Sequence, residues 1–579
     1  MDRRAIAGDT DILEIMQAPA AADSRNPPCC CQACARCLRR CIPIGCLDEV
    51  KALIKLALPM IISQMLLFLI NLVSTMFCGH LGKEELDAVT IANNVMSVLG
   101  FSFGVGFSAA ADTLLSQTFG GKNLKQIGVI LQQSLLMLIL ICFPCWAIFV
   151  NTEKLLLLIR QDPKVSRLAD DYVLISIPVL LEAFVYQLQA SFLQNQGITV
   201  PQLFIGIAVN IINAILHYAF LFVLDFGVMG AALAVNIARI SQIIMTFIYI
   251  WIKKLHVETW GGWSWECLQN WGPLTSLAVP SFLTVFFEWW IYEIGTLLAG
   301  LVSVTELGAQ AVLYQVVVFL YMIPYGMGTA VGVRVGNELG AGNAQEAKSS
   351  STVALLSTGI LIAFDVTVVG ASRMVIARLF TSDEGIIALT ARTLLIYSVF
   401  HIFESFGCVT NGILKGMGKQ KIGAVAYAIG YYAIGLPVAL ALMFPAKLGV
   451  LGLWSGMTVS AFIPAFFLTM YILRANWKNI EVEAQERAGL KQKTPSVQVP
   501  SYTDSISWEE SSQNGFDFPA YDQNGQLLDQ LPLANQSAPM DPTKKDIVPK
   551  RMLILRRGLI FMAAVVILIV GILVRVLSL

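Results

Sequence analysis

Thirteen apolar runs, each long enough to cross a bilayer, limit what this chain can fold into more than anything else in it. A helix needs about 20 apolar residues to span the hydrocarbon. The runs lie at 52–78, 88–112, 128–150, 172–194, 201–223, 228–252, 274–304, 307–333, 351–371, 387–413, 422–444, 448–473 and 553–577. Of the 579 residues, 56% are hydrophobic and only 13% charged, against about 25% charged in soluble domains. The expectation is an all-α polytopic membrane protein. Formal net charge is zero, which implies no nucleic acid or other polyelectrolyte partner; the lipid bilayer is the partner that composition demands.

The first fifty residues are polar and basic, without the continuous apolar core of a signal peptide. Residues 475–551, rich in Gln, Ser, Pro, Asp and Asn, cannot bury a core and read as a disordered linker. Arg36, Arg39, Arg40, Lys51 and Lys55 precede the first run; Arg474, Lys478, Lys550, Arg551, Arg556 and Arg557 flank the linker. Twelve spans between them put both basic regions on one side, the cytoplasm. The odd thirteenth span then leaves Leu579 outside. The tail run Cys31-x₂-Cys34-x₂-Cys37-x₃-Cys41 has iron–sulfur spacing; palmitoylation near a membrane or unmodified thiols are the other readings, and no cofactor or metal site is assigned.

The chain repeats itself at about 221 residues. Leu56-Ala57-x-Pro59 returns as Leu277-Ala278-x-Pro280, and Glu85-Leu86-x-Ala88 as Glu306-Leu307-x-Ala309. Gly79, Gly120, Gly197 and Gly227 return as Gly300, Gly340, Gly418 and Gly449. Each copy holds six runs. An even number returns the chain to its starting side, so the copies are parallel repeats about an axis along the membrane normal. Secondary transporters use this layout, with the substrate between the halves; an ancient duplication in a channel or receptor is the alternative. The boundaries are a tail at 1–50, a first lobe at 51–254, a loop at 255–273, a second lobe at 274–474, the linker, and a last span at 552–577.

Run seven holds Glu288 and Glu293 with no Lys or Arg to pair with them. A carboxylate at mid-bilayer costs roughly 2.5–3.5 kcal/mol on insertion scales, so such groups face water, a cation or a proton. That points to transport of something positive. Glu288 and Tyr292 share a helix face, as do Trp289 and Glu293, whereas Glu288 and Glu293 look into different parts of the lobe. Glu288 is read as the site shared by proton and cargo, and Glu293 as a second titrating group or a buried neutral acid. His401 and Glu404 share a face in run ten, as a proton relay or a static hydrogen bond. Tyr314 and Tyr321, with Trp289, Trp290 and Tyr292, offer π-faces to flat cations, or pack as membrane aromatics do. Gln64 with Asn71, and Asn93 with Asn94, line the cleft or bond helix to helix.

The stretches ELDAVTIANNV…GFSAAADTLLSQTFGGKN (85–123) and ELGAQAVLYQV…GMGTAVGVRVGNELGAGN (306–343), with FCGHLGKEELDAV (77–89), TWGGWSWECLQ (259–269), EWWIYEIG (288–295) and IGYYAIGLP (429–437), resemble the multidrug and toxin extrusion (MATE) family, its vertebrate branch above all. The resemblance covers residues 50–475 and the terminal span. It implies two six-helix lobes around a central cleft and antiport of protons against small organic cations. It also implies residence in the plasma membrane, on the apical face of epithelium. It places functional weight on Glu404 and puts Cys78 and Cys142 near the translocation path. Vertebrate members generally carry an acid after the tyrosine matching Tyr314, where this chain has Gln315. Glu182, near the repeat position of Glu404, is an extra acid. No GxxxxGK[ST] loop is present, in keeping with secondary rather than ATP-driven transport. A lipid-linked glycan flippase of the same superfamily, which would want a basic cleft, and a membrane enzyme or scaffold stay open as alternatives.

Overall fold

The computed structural model describes residues 46–490 and 550–577. The N-terminal cysteine run and the linker from 491 to 549 lie outside the described residues. The elements are α1 (Cys46–Gly79), α2 (Lys83–Gly120), α3 (Leu124–Phe149), α4 (Thr152–Leu158), α5 (Pro163–Ile175), α6 (Ile177–Asn195), α7 (Val200–Val223), α8 (Gly227–Ile252) and α9 (His256–Thr259). Then follow α10 (Trp271–Val302), α11 (Val304–Ala341), α12 (Ala344–Phe380), α13 (Glu384–Met417), α14 (Gln420–Met443), α15 (Gly449–Arg474), α16 (Trp477–Arg487) and α17 (Lys550–Leu577). The described residues form no strand.

Twelve of these helices are long and apolar enough to cross a membrane, the C-terminal one included. They match every expected run except the fourth. That run is split at Ser176 into α5 and α6. Pro178 is the cause: it has no N–H for the helix ladder, and its ring crowds the carbonyl one turn back. With Glu182, Gln187, Gln189 and Gln194 among its polar side chains, α6 falls short of the apolar character that marks the other spans.

The duplication is visible in the packing. Two apolar cores form, one per repeat, but the first helix of each repeat reaches into the other's core. Leu53, Ala57 and Met60 of α1 belong to the second repeat's core, while Leu274, Leu277 and Ala278 of α10 belong to the first's. Close backbone contacts also come in exchanged pairs. A Cβ on Gly120 would fall 1.9 Å from the Asn337 carbonyl oxygen, and one on Gly340 would fall 2.0 Å from that of Gln117. Gly106 lies against the backbone of Phe282, and Gly326 against that of Ile61. When residue i meets j and j's mate meets i's mate, the two halves are related by a two-fold axis.

The expected linker starts late. Residues from 475 were read as unstructured, yet Trp477–Arg487 forms α16. The periodicity explains it: Trp477, Ile480 and Ala484 fall on one buried stripe, and the Asn476 side chain accepts from the Asn479 N–H at 3.3 Å. This helix packs on α2 of the first repeat and on α11, α12 and α13 of the second. The terminal span α17 lies along α3. Its ends are fixed by Arg575 on Asp170 (2.8 Å) and by the Arg557 guanidinium 3.9 Å from the centre of the Trp271 ring.

Candidate functional site

The acidic groups of the second repeat gather on three neighbouring helices. Helices α10 and α11 form an antiparallel hairpin, so residues five apart on one meet residues seven apart on the other. Tyr321 donates its hydroxyl to Glu288 at 3.1 Å, and Tyr314 donates to Glu293 at 3.4 Å. Tyr292, one turn beyond Glu288, reaches across to α13 and donates to Glu404 at 2.5 Å. Glu288 and Glu404 are 4% and 2% exposed, and the charge of Glu404 reaches Glu288. Glu293 is only half-buried and belongs to a separate part of the lobe.

Glu404 also closes a chain of ionisable groups. Its second oxygen is 3.1 Å from His401 Nδ1, which is itself 3.1 Å from the Tyr397 hydroxyl. His401 Nε2 faces Asp365 of α12 at 3.9 Å. Tyr321 further accepts a weak contact from the Cys408 thiol at 3.6 Å. Among the described residues no Lys or Arg forms an ion pair with Glu288, Glu293 or Glu404. Each of these carboxyls is instead held by a tyrosine hydroxyl. A hydroxyl can donate to the carboxylate or accept from the acid, so the same geometry serves both protonation states.

The other sequence candidates are placed less centrally. Trp289, Gln315 and Asn94 are half-buried and add no side-chain hydrogen bond to the cluster. Gln64 lines a different space, the cleft between the repeats, together with Asp112, Gln187, Tyr325 and Lys415. Cys78 and Cys142 are fully buried in the apolar core of the first repeat, apart from both the cluster and the cleft.

Two groups of note escaped the sequence reading. Asp112 fell on the edge of run two as drawn, although α2 continues to Gly120; a charge two turns inside an apolar helix was the available signal. Lys415 lies two residues beyond the end of run ten at 413, whereas α13 extends to Met417. In the first repeat, Glu182 lies near the repeat position of Glu404 and within electrostatic reach of a buried Arg239 from α8.

At the ends of α2, α11 and α13 the repeats interlock. Gln117 donates to the Gly416 carbonyl (2.8 Å) and its mate Asn337 to that of Asn195 (3.2 Å). Arg334 pairs with Glu49 through two hydrogen bonds, and Ser350 donates to the same carboxylate at 2.5 Å. Arg487 of α16 donates to Gln117 Oε1 (3.0 Å) and to the Met417 carbonyl (2.9 Å), bridging the repeats. Burial pulls its guanidinium below the ordinary arginine value, while Glu483 works the other way; the ordinary value is so high that it keeps its charge.

Comparison with known proteins agrees with this architecture. The MatE family model matches residues 59–219 and 280–441, two blocks that begin 221 residues apart. Multidrug and toxin extrusion protein 2 of Mus musculus is 48% identical over 91% of this chain and 92% of its own length. Multidrug and toxin extrusion protein 1 of Homo sapiens is 45% identical over 91% and 93%. The crystal structure of the eukaryotic MATE transporter AtDTX14 superposes with a TM-score of 0.74 at 29% identity, covering 77% of this chain and all of that one.

Proposed function

Because this chain belongs to the multidrug and toxin extrusion family, we propose that this membrane transporter exports organic cations in exchange for protons by alternating access. One observation carries the reading: Glu288 and Glu404 are buried, lie within electrostatic reach and touch no Lys or Arg, and the base in contact with Glu404 is the titratable imidazole of His401. Two carboxyls so placed do not ionise together in a low-dielectric interior unless a positive species joins them. A proton or an organic cation supplies that charge, and the two compete. Tyr292 and Tyr321 hold the oxygens in place through the exchange, and the His401–Asp365 arm offers Glu404 a path for its proton. Flat cations find aromatic faces in Tyr292, Tyr314 and Tyr321.

The lobes are 51–254 and 274–474, and they rock about the two-fold. The protein lies in the plasma membrane with its N-terminus in the cytoplasm. The interlocked ends of α2, α11 and α13 then form the cytoplasmic closure, with Arg487 and the Glu49–Arg334 pair as its polar ties. Opening to the cytoplasm breaks these bonds. For one-for-one exchange of monovalent ions the membrane potential does no net work, and the drive is the pH gradient, about 1.4 kcal/mol per unit. An acidic outside pulls cations out.

The test is uptake of a fluorescent organic cation by expressing cells under imposed pH gradients. Wild type should follow the gradient; Glu288→Gln should not. Uptake through Glu288→Gln that still tracks the gradient refutes the shared-carboxylate mechanism.

A further inference from the structure

We propose that Lys415 is a resident counter-ion: a tethered ammonium that competes with transported cations for the carboxylates facing the cleft and thereby sets the affinity for them. This rests on the cation-exchange reading above. Lys415 sits in the last turn of α13 and lines the cleft between the repeats beside Asp112, Gln64 and Tyr325. Its backbone is fixed, since Thr113 of the opposite repeat donates to its carbonyl at 2.8 Å. Its side chain is not. The ammonium stands 6.0 Å from the centre of the Tyr325 ring, and Lys415 takes part in none of the ion pairs among the described residues.

The groups that face it come from four helices. Asp112 of α2 feels its charge and has a buried oxygen without a hydrogen-bond partner. Glu288 of α10 feels it as well. Tyr325 of α11 and Cys408 of its own helix complete the surroundings. A lysine head on a flexible four-carbon stem can shift toward Asp112 or back toward the Tyr325 ring without backbone change, and its charge acts on Glu288 from the cleft side. In an empty cleft it offsets their charge; an arriving cation has to displace it. After release it refills the site, which eases departure of the cargo. Selectivity then depends on out-competing an internal primary amine, so bulky or delocalised cations with aromatic contacts have the advantage over small alkylammonium ions.

The experiment uses the full chain reconstituted in liposomes, with uptake of a fluorescent N-methylpyridinium dye measured against concentration and pH. Lys415→Met should lower KM about tenfold and reduce kcat, because binding tightens and release slows. Lys415→Arg should keep KM within about twofold of wild type. Added n-butylammonium should raise KM in Lys415→Met toward the wild-type value and leave wild type little changed. A Lys415→Met protein with wild-type KM and pH profile overturns the proposal, and so does equal loss in the Met and Arg variants, which would mark a packing role. If Lys415→Met does not insert, dye binding to purified Lys415→Gln, read by tryptophan quenching, decides by the same criterion. Wild type without proton-linked uptake would sink the exchange reading alone; tighter equilibrium binding in the variant would still uphold the counter-ion.

Discussion

The two repeats share a backbone plan and differ in chemistry. Gly227 and Gly449, repeat mates, both start a helix from left-handed backbone, with φ of 56° and 55°, a conformation that glycine reaches without steric cost. The cross-repeat contacts of Gly120 and Gly340 are equally matched. Yet the mates of Glu288, Glu293 and His401 are Leu67, Leu72 and Leu180. Only Glu404 has an acid near its repeat position, Glu182, and there the first repeat adds Arg239 where the second has Ala461. One half sets a titratable histidine, and no Lys or Arg, against its buried Glu404; the other places a buried arginine within electrostatic reach of Glu182. On the proposed mechanism, the symmetry serves the rocking motion while the carboxyls that exchange proton for cargo lie in one lobe.

The first repeat also breaks its fourth span at Pro178; the matching stretch of the second holds no proline and carries Phe400. That ring packs on Tyr292, Tyr397 and Trp454 with centroids 5.4–6.4 Å away. The continuous α13 therefore carries Glu404 to Tyr292 on a rigid helix, backed by a packed aromatic cluster.

The sharpest way to break this comparison is to neutralise both acids. Glu404→Gln should cut proton-driven dye uptake at least tenfold, whereas Glu182→Gln should retain more than half; equal losses would mean that the chemistry is shared. Next, Gly120→Val and Gly340→Val should each reduce turnover several-fold and to the same degree, as the two-fold demands. Transport rates at matched surface expression decide it, and a large inequality would show that the closures are not equivalent. A buried charge left without its opposite costs a few kcal/mol. Arg239→Gln should thus lower the melting temperature of the purified protein by several degrees, and Glu182→Gln with Arg239→Gln should recover most of it. An additive double variant would place the pair out of electrostatic reach. The smallest effect belongs to Gln315→Glu. It adds an acid one residue from Tyr314, and should change KM for monovalent cations by about two- to threefold while shifting the pH profile. No change would mean that this position lies away from the path.

Much of this was legible in the chain. Apolar length marked the spans, the recurring glycines marked the repeats, and unpaired glutamates pointed to the candidate site, since lipid offers no partner to polar groups. The partners of those glutamates were not legible. Tyr292 and Glu404 are 112 residues apart, and their 2.5 Å contact depends on how α10 meets α13. Lys415 and Asp112 were misread or overlooked because hydropathy marks where an apolar run fades, and the helices continue past that point. The helix α16 was hidden by its polar composition; only the three-residue stripe that it buries makes it a helix.

By itself the sequence determined the medium, the helical class, the duplication and the family, since these rest on length, periodicity and motif, which need no third dimension. Tertiary structure alone decided which acid meets which tyrosine, that each repeat lends its first helix to the other's core, and that a lysine shares the cleft with the acids. Those depend on packing between segments hundreds of residues apart, where contact is set by the mutual fit of whole helices and not by any local run of residues.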